Sequence, residues 1–378
     1  MNNNKDVIAF SQQLAGKIEV GSKKKLTKNN LPLLYTPGVA EISNLVASDS
    51  GEAYHHTIKA NTVAVVSDGS AVLGLGNLGP LGALPVMEGK ALLFKELAGV
   101  DAFPIVLDTQ DTEAIIETVK NIAPTFGGIN LEDIAAPRCF EIEERLKREL
   151  DIPVFHDDQH GTAIVVLAGL YNALRVVGKE LKTVKIVISG AGAAGIAIAK
   201  LLAYAGAERI ILADRTGAIY TGRVDGMNPV KSEIATVTNP DHESGTLQDI
   251  LKGADVFIGV SGPNLLIADD ITHMNQDAIV FAMSNPIPEI MPDDARRGGA
   301  RIVATGRSDF ANQINNMLVF PGLFRGALDA RVHTITDDHK IAAARALADL
   351  VRRPNDTNII PKPLDKKAVR AVASVFQQ

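Results

Sequence analysis

A short apolar run, a glycine-rich turn and a helix of small residues follow one another in the middle of this chain. The run Val184–Ser189 is typical of a strand buried on both faces, and Ala193–Ala205 predicts a helix. A second run, Arg209–Asp214, ends on an acid. Similar runs, each closely followed by glycine or Asn-Pro, come later at 255–260, 278–284 and 301–305. Strands that alternate with helices in this way predict an α/β fold with a doubly wound, mostly parallel sheet.

The turn has the sequence Gly190-Ala191-Gly192-Ala193-Ala194-Gly195. Gly190 suits a tight turn, Gly192 lets the backbone approach a pyrophosphate, and Gly195 lets helix and strand pack closely. Ala193 and Ala194 open the helix, whose free N–H groups and positive dipole attract phosphate. Because the strand, turn, helix, second strand and acid occur in this order, the sequence predicts a dinucleotide site.

Asp214 stands at the end of the second strand, where a carboxylate can accept the hydroxyls of the cofactor ribose. Such a carboxylate repels a 2′-phosphate, which favours NAD. The neighbouring Arg215 could instead hold that phosphate, so NADP stays open.

The first part of the chain predicts a second α/β domain, since 378 residues exceed one simple core. Thr62–Ser67 and Ala71–Leu75 predict a β-hairpin around Asp68-Gly69. Further predicted strands lie at 103–107, 129–134 and 153–155, and predicted helices separate them.

Three acids, Glu132, Asp133 and Asp158, come just after apolar runs, at the strand ends where ligands sit in open α/β sheets. Carboxylate oxygens suit Mg²⁺ or Mn²⁺. These acids could equally be surface residues, and Asp157 with Asp158 could cap the next helix. The spacing alone leaves both interpretations open.

Four other side chains have competing interpretations. His156 and His160 are four residues apart, but the glutamate-centred zinc motif is missing from His156-Asp157-Asp158-Gln159-His160. Lys90, in an otherwise apolar helix, could be a snorkelling surface lysine. Tyr35 could be a core tyrosine with a satisfied hydroxyl.

Composition argues against several classes of partner. The net charge is −6 and the only basic cluster is Lys23-Lys24-Lys25, so no nucleic-acid partner is expected. A single cysteine, Cys139, precludes an intrachain disulfide framework and favours the cytoplasm. The first ten residues have no apolar core of a signal peptide, and the uncharged stretch 72–87 is broken by glycine and proline. No membrane partner is expected.

Together these stretches resemble the malic enzymes, and the shorter bacterial forms most closely. The matching motifs run from the first part of the chain to beyond residue 320: Tyr35-Thr36-Pro37-Gly38-Val39, Ser67-Asp68-Gly69, Leu73-Gly74-Leu75-Gly76-Asn77, Gly89-Lys90, Leu131-Glu132-Asp133, His156–Thr162, Gly190–Gly195, Ser284-Asn285-Pro286, Asn315-Asn316 and Phe320-Pro321-Gly322. A set this long is far more specific than any single motif.

The resemblance implies a role for each matching residue. Glu132, Asp133 and Asp158 would bind Mg²⁺ or Mn²⁺, Lys90 would be the general base, and Tyr35 would be the proton donor. Asn285 would contact substrate and cofactor, and Asn315 or Asn316 would supply a further substrate amide. The sequence departs from longer eukaryotic members at Ala71, where they carry an arginine, so another group must recognise the substrate carboxylate.

The resemblance also implies the architecture. A substrate and metal domain would comprise residues 1–157 with 316–378, a Rossmann-type NAD(P) domain would comprise 158–315, and the protein would be a homodimer.

The implied reaction is oxidative decarboxylation of L-malate to pyruvate and CO₂, with reduction of NAD(P). Lys90 would accept the proton of the substrate hydroxyl, and burial and the metal charge would both depress its pKa. Tyr35 would protonate the enolate carbon. Two alternatives stay open at this point: malolactic conversion to lactate with retained NAD, and a non-catalytic nucleotide sensor.

Overall fold

The computed structural model describes residues 4–72 and 74–377. Within these residues the strands are β1 (Thr62–Ser67), β2 (Asp101–Val106), β3 (Gly128–Leu131), β4 (Val154–His156), β5 (Lys185–Ser189), β6 (Arg209–Asp214), β7 (Gly217–Ala218), β8 (Val256–Gly259), β9 (Ile279–Ala282) and β10 (Ile302–Thr305). The α-helices are α1 (Asn4–Leu14), α2 (Leu31–Leu34), α3 (Val39–Ser48), α4 (Ala53–His56), α5 (Gly79–Ala98), α6 (Thr112–Ile122), α7 (Arg138–Glu149), α8 (Thr162–Val177), α9 (Ala193–Tyr204), α10 (Pro229–Ala235), α11 (Leu247–Leu251), α12 (Ala268–Thr272), α13 (Pro292–Arg297), α14 (Phe320–Ala330), α15 (Asp337–Asp349) and α16 (Lys366–Ala373).

The first sheet has four parallel strands in the order β2-β1-β3-β4. All six residues of the central strand β1 are buried, as expected for a strand covered on both faces. Because the strands are parallel, their carboxyl ends meet at one edge of the sheet. The residues that follow β1, β3 and β4 therefore lie together at that edge.

The predicted hairpin around Asp68-Gly69 is wrong. β1 pairs in parallel with β2 and β3, and beyond Asp68 the chain turns toward α5, with a single isolated bridge between Val72 and Gly76. Gly69 has φ +68°, and a Cβ there would lie 2.1 Å from the carbonyl oxygen of Gly79. The glycine thus serves a close packing contact with the start of α5 rather than a hairpin turn. Leu73, part of the predicted second strand, lies outside the described residues.

The second sheet has the order β10-β9-β8-β5-β6-β7, with only β6 and β7 antiparallel among the described pairs. From β5 the chain proceeds outward to β6, and it then returns to β8 on the other side of β5. The order therefore reverses between β5 and β8, where open α/β sheets bind their ligands. This sheet confirms the predicted Rossmann-type, doubly wound α/β fold.

Helix α8 follows the first sheet and packs against α9 and α15. A five-residue π-turn, Asp157–Gly161, joins β4 to this helix. The segment Asp157–Val177 is apolar and long enough to span a membrane by composition, but 67% of its most apolar window is buried inside the protein. Such burial is typical of a core helix.

The C-terminal segment packs against α5 and α8. Helix α14 contacts α5, where Phe94 meets Phe320 edge-on with ring centroids 4.8 Å apart. Helix α15 packs on α8, and Asn172 of α8 donates hydrogen bonds to the carbonyl oxygens of Ala348 and Ile359. The division into 1–157 with 316–378 and 158–315 stays a prediction.

Candidate active site

Three carboxylates converge at the carboxyl edge of the first sheet. Glu132 and Asp133 follow β3, and Asp158 lies in the π-turn after β4. One ligand oxygen from each lies within 4.8 Å of the others. The backbone N–H of Asp133 donates to Oδ2 of Asp158 at 2.8 Å, which couples the two strand ends. The structure therefore brings together the three predicted metal ligands.

Two of the three carboxylates are buried, whereas the side chain of Asp158 is 33% exposed. Glu132 is 4% and Asp133 is 3% exposed. Burial raises the pKa of Asp158 to about 6 and also raises the pKa of Glu132. Clustered buried carboxylates repel one another, and a divalent cation removes that cost while receiving the hard oxygen ligands it prefers. The donor set fits Mg²⁺ or Mn²⁺.

Lys90 points into the same cluster from α5. It is only 8% exposed, so the snorkelling interpretation does not describe it. Its Nζ lies 2.8 Å from Oε1 of Glu132 and 2.5 Å from Oδ2 of Asp157. Burial lowers the pKa of Lys90, but the charges of Asp157, Glu132 and Asp158 outweigh it and hold the pKa above its ordinary value. The predicted downward shift is therefore not found, because three carboxylates surround the amine.

The sequence predicts only a helix cap at Asp157, but the structure places this residue in the site. It is fully buried and bonds to Lys90. A Cβ at Gly161 would lie 1.8 Å from Oδ1 of Asp157, so a glycine is required at that point of the π-turn. The signal available in the sequence was that Asp157 directly precedes Asp158, a predicted metal ligand.

Both zinc-candidate histidines contact Glu143, but through different groups. His160 approaches Oε2 of Glu143 at 2.9 Å through Nε2 and Nζ of Lys340 at 3.1 Å through Nδ1. His156 is buried, and its backbone N–H donates to Oε1 of Glu143. Glu143 thus contacts both ends of the turn that carries Asp157 and Asp158.

The asparagines predicted to bind substrate have different surroundings. Asn285 lies beside the loop that contains Gly74, because a Cβ on Gly74 would be 2.9 Å from the carbonyl oxygen of Asn285. The Cβ of Asn316 lies 3.3 Å from where a Cβ on Gly161 would stand, beside the acidic cluster. The side-chain oxygen of Asn315 instead accepts the N–H of Met317 and caps a short 3₁₀ turn. Asn316 is the better placed of the two.

Tyr35 is not assembled with these residues in the single chain. It follows α2, is 66% exposed, and has no hydrogen bond to Lys90 within the described residues. The interpretation as a buried core tyrosine is therefore excluded, while its role as a proton donor stays a prediction.

The predicted dinucleotide turn borders a cavity of about 1130 Å³ at the switch point of the second sheet. Gly190, Gly192, Asp214, Arg215 and Ser261 are among its lining residues. A Cβ on Gly195 would lie 1.8 Å from the carbonyl oxygen of Gly190, whereas a Cβ on Gly192 would meet nothing within 4 Å. Gly195 thus permits close packing of helix on strand, and Gly192 leaves open backbone for a phosphate to approach. This cradle fits a dinucleotide.

Asp214 is held by partners that the sequence did not reveal. Its carboxylate accepts two bonds from Nη2 of Arg223 at 2.7 Å and one from Nζ of Lys231 at 2.6 Å. The backbone N–H of Thr216 donates a fourth. Burial raises the pKa of Asp214, but Lys231 and Arg223 outweigh it and lower that pKa overall. Arg215 is exposed at the cavity wall.

Two family models match the chain. The malic enzyme N-terminal domain matches residues 15–147, and the malic enzyme NAD binding domain matches residues 159–375. The chain belongs to the malic enzyme family. The resemblance seen in the sequence is thereby confirmed.

Relatives within the family match over nearly the whole chain. An NAD-dependent malic enzyme of Geobacillus stearothermophilus is 59% identical over 96% of this chain and 76% of its own length. A bifunctional malic/malolactic enzyme of Bacillus subtilis is 57% identical over 95% of this chain and 88% of its own length. The structure of an NAD-dependent malic enzyme from Thermotoga maritima superposes with a TM-score of 0.96 at 48% identity, covering 98% of this chain and 99% of that one.

An arginine from another part of the chain contacts the loop that contains Ala71. Within the described residues, the guanidinium that contacts this loop belongs to Arg138 of α7. Its Nη2 lies 2.9 Å from Oδ2 of Asp68 and donates to Oγ of Ser70 at 3.0 Å. These contacts hold the loop against α7.

Proposed function

We propose that the chain oxidises and decarboxylates L-malate to pyruvate and CO₂, with reduction of NAD or NADP. The observation that carries the proposal is the buried Lys90, 2.8 Å from Glu132 within a cluster of carboxylates. A nucleotide sensor has no need of a buried base beside three carboxylates. Membership of the malic enzyme family gives independent support for an enzyme.

Glu132, Asp133 and Asp158 would hold Mg²⁺ or Mn²⁺. When bound, the cation supplies a Lewis acid that acidifies the C2 hydroxyl of malate and stabilises negative charge on that oxygen while CO₂ leaves. Glu143 keeps the turn with Asp158 in place, because it accepts the N–H of His156 and pairs with His160.

Lys90 would have to be neutral to accept the proton of the substrate hydroxyl at its Nζ, and a cation held by Glu132 and Asp158 would favour the neutral amine by offsetting their negative charge. The Nζ atom already lies at hydrogen-bond distance from two carboxylates, so the substrate hydroxyl would enter an existing polar network. Asp157 would orient Lys90 and stabilise the positive charge of its ammonium group once the proton has arrived. Asn285 and Asn316 would supply side-chain amides that position the substrate.

We further propose that the protein is a homodimer in which Tyr35 protonates the enolate carbon in the active site of the second copy. Two features support this arrangement. Tyr35 makes no hydrogen bond to the Lys90 cluster of its own chain within the described residues. Helices α2 and α3 contain no buried residues, and large apolar side chains are exposed along the N-terminal segment: Val7, Ile8, Phe10, Leu14, Ile18, Val20, Leu26, Leu31, Leu33 and Leu34. A patch of this kind marks a protein interface.

The crevice over Gly190–Gly195 would hold NAD(P), which supplies the hydride acceptor. We expect NAD to be preferred, since the carboxylate of Asp214 stands where a 2′-phosphate would add negative charge. We expect the protein in the cytoplasm, with malate as its small-molecule partner.

The proposed function is tested with purified protein, L-malate, Mn²⁺ and either NAD or NADP. The appearance of reduced cofactor and of pyruvate in equal amounts is the expected result. Lactate without reduced cofactor would indicate malolactic conversion, which the name of the Bacillus subtilis relative makes the natural second candidate. No product of either kind would contradict the enzyme assignment.

Replacing Asp214 with serine should raise the ratio of kcat/KM for NADP to that for NAD. The substitution leaves Arg223 and Lys231 without their carboxylate, and both cations become available to a 2′-phosphate. Charge-assisted hydrogen bonds of this type predict a change of roughly tenfold or more. Asp225→Ser is the matched control, because Asp225 is an exposed carboxylate on the wall of the same cavity. A ratio unchanged in Asp214→Ser would make Arg215 the candidate for cofactor selection.

A further inference from the structure

Glu289 is a buried carboxylate in the loop between β9 and α13. Its exposed fraction is 0%. No lysine or arginine of the described residues forms an ion pair with it, so its charge is offset by other donors. Burial raises its pKa, and hydrogen bonds from the backbone oppose that rise. Burying a charged carboxylate costs free energy unless its oxygens accept hydrogen bonds. The contacts of these oxygens therefore indicate what the side chain does.

Its two oxygens bond to two different loops. Oε1 accepts the backbone N–H of Ser261 at 2.9 Å, and Oε2 accepts the backbone N–H of Ser284 at 3.0 Å. Ser261 follows β8 and Ser284 follows β9, which are neighbours in the sheet. One side chain therefore joins the loops at the carboxyl ends of two adjacent strands, and the second loop carries Asn285.

The surrounding residues leave space for this carboxylate and connect the two loops to a third. A Cβ on Gly259 would lie 2.4 Å from Cδ of Glu289, so a larger residue at the end of β8 would have to displace this carboxylate. Oγ of Ser261 lies 2.8 Å from Oγ of Ser189, the residue directly before Gly190. Gly190 itself packs closely, since a Cβ there would be 2.6 Å from the carbonyl oxygen of Val260. The loops after β5, β8 and β9 form one connected unit.

In a doubly wound sheet the two halves of a dinucleotide lie on opposite sides of the switch point. With Asp214 at the end of β6, the adenosine half belongs over β5 and β6, and the nicotinamide half belongs over β8 and β9. We propose that Glu289 is a positioning residue for the nicotinamide half of the cofactor, because its carboxylate fixes the loops of Ser261 and Asn285 relative to the Gly190 turn. This inference rests on the proposed cofactor site.

The test compares two nucleotides by isothermal titration calorimetry, without malate or turnover. NAD covers both halves of the site, whereas ADP carries only the adenosine and the two phosphates. In Glu289→Gln the amide nitrogen would face a backbone N–H, and one loop would lose its acceptor. Loss of a buried acceptor should raise the Kd for NAD roughly tenfold or more while the Kd for ADP stays within about twofold of the parent.

Two further variants sharpen the comparison. Gly259→Ala keeps the charge of Glu289 but displaces the carboxylate, so it should weaken NAD binding in the same selective way and serves if Glu289→Gln does not fold. Glu233→Gln, which neutralises a carboxylate with a 63% exposed side chain in the same sheet domain, should bind both nucleotides as the parent does.

Each outcome has a distinct meaning. A parent protein that binds neither nucleotide would contradict the proposed cofactor site itself. A parent that binds both, with folded variants that lose NAD and ADP equally or lose neither, would overturn the role of Glu289. A selective loss of NAD in either variant supports it.

Discussion

Removal of divalent cations should abolish turnover, and Mg²⁺ or Mn²⁺ should restore it. The carboxylates of Glu132, Asp133 and Asp158 lie within 4.8 Å of one another, and their oxygens are the ligand type that these ions prefer. Without the cation the substrate hydroxyl keeps an acidity near that of an ordinary alcohol, and Lys90 stays protonated between Glu132 and Asp157. Oxidation of malate and loss of CO₂ should therefore fail together. The measurement is the initial rate after treatment with a chelator and after titration with each metal.

Asp158→Asn is the matched variant for this prediction. The substitution keeps the shape of the side chain and removes one charged ligand, so the Mn²⁺ concentration for half-maximal activity should rise at least about tenfold. Asp293→Asn, which changes a carboxylate with a 95% exposed side chain, is the control and should need no more metal than the parent. Full activity in a metal-stripped sample would contradict the assignment of all three ligands.

The second sheet was predictable from the sequence. Its strands are buried on both faces, and they therefore appear in the sequence as uninterrupted apolar runs. β5 is buried at all five residues, and the Gly190–Gly195 turn follows it without a break. Local signals of this kind predict structure well, because the conformation of a strand, a tight turn or a helix start depends mainly on residues that are close in sequence. The acids at the strand ends were found for the same reason.

Contacts between distant parts of the chain were not predictable. The Asp68-Gly69 turn looked like a hairpin because its true partner, the start of α5, is a tertiary contact. Lys90 and Asp157 are 67 residues apart, and no local pattern pairs them. The donors that surround Asp214 lie 9 and 17 residues further along the chain, in a loop and in α10. In each case the sequence predicted one residue of the contact but not the distant residue that it contacts.

Lys90→Ala and Tyr35→Phe should each reduce kcat about 10²–10⁴-fold, the usual loss when a positioned base or acid is removed. The two variants should differ in which step becomes slow. If Lys90 acts on the substrate hydroxyl, as proposed, its loss should slow hydride transfer, and small amines in the buffer should partly restore the rate. If Tyr35 acts on the enolate carbon, Tyr35→Phe should reduce added oxaloacetate with NADH at a less impaired rate.

Deuterium at C2 of malate separates the two roles. In Lys90→Ala hydride transfer limits the rate, so the isotope effect on kcat/KM should be at least as large as in the parent. In Tyr35→Phe a later step limits, and the effect should shrink. The same isotope pattern in both variants would refute the division of roles, as would near-parental activity of Tyr35→Phe.

Mixing the two inactive variants tests where Tyr35 acts. If each active site combines Lys90 of one copy with Tyr35 of the other, a mixed dimer has one site with both residues intact and one site with neither. Random re-association of equal amounts makes half of the dimers mixed, so about a quarter of the parental activity should return. If Tyr35 serves its own chain, every site in every dimer lacks one residue, and mixing should restore nothing. The control mixes each variant with itself under the same conditions, and sedimentation analysis of the samples shows whether dimers are present. Recovery of activity in the mixed sample alone would explain why Tyr35 is exposed and apart from Lys90 in the single chain.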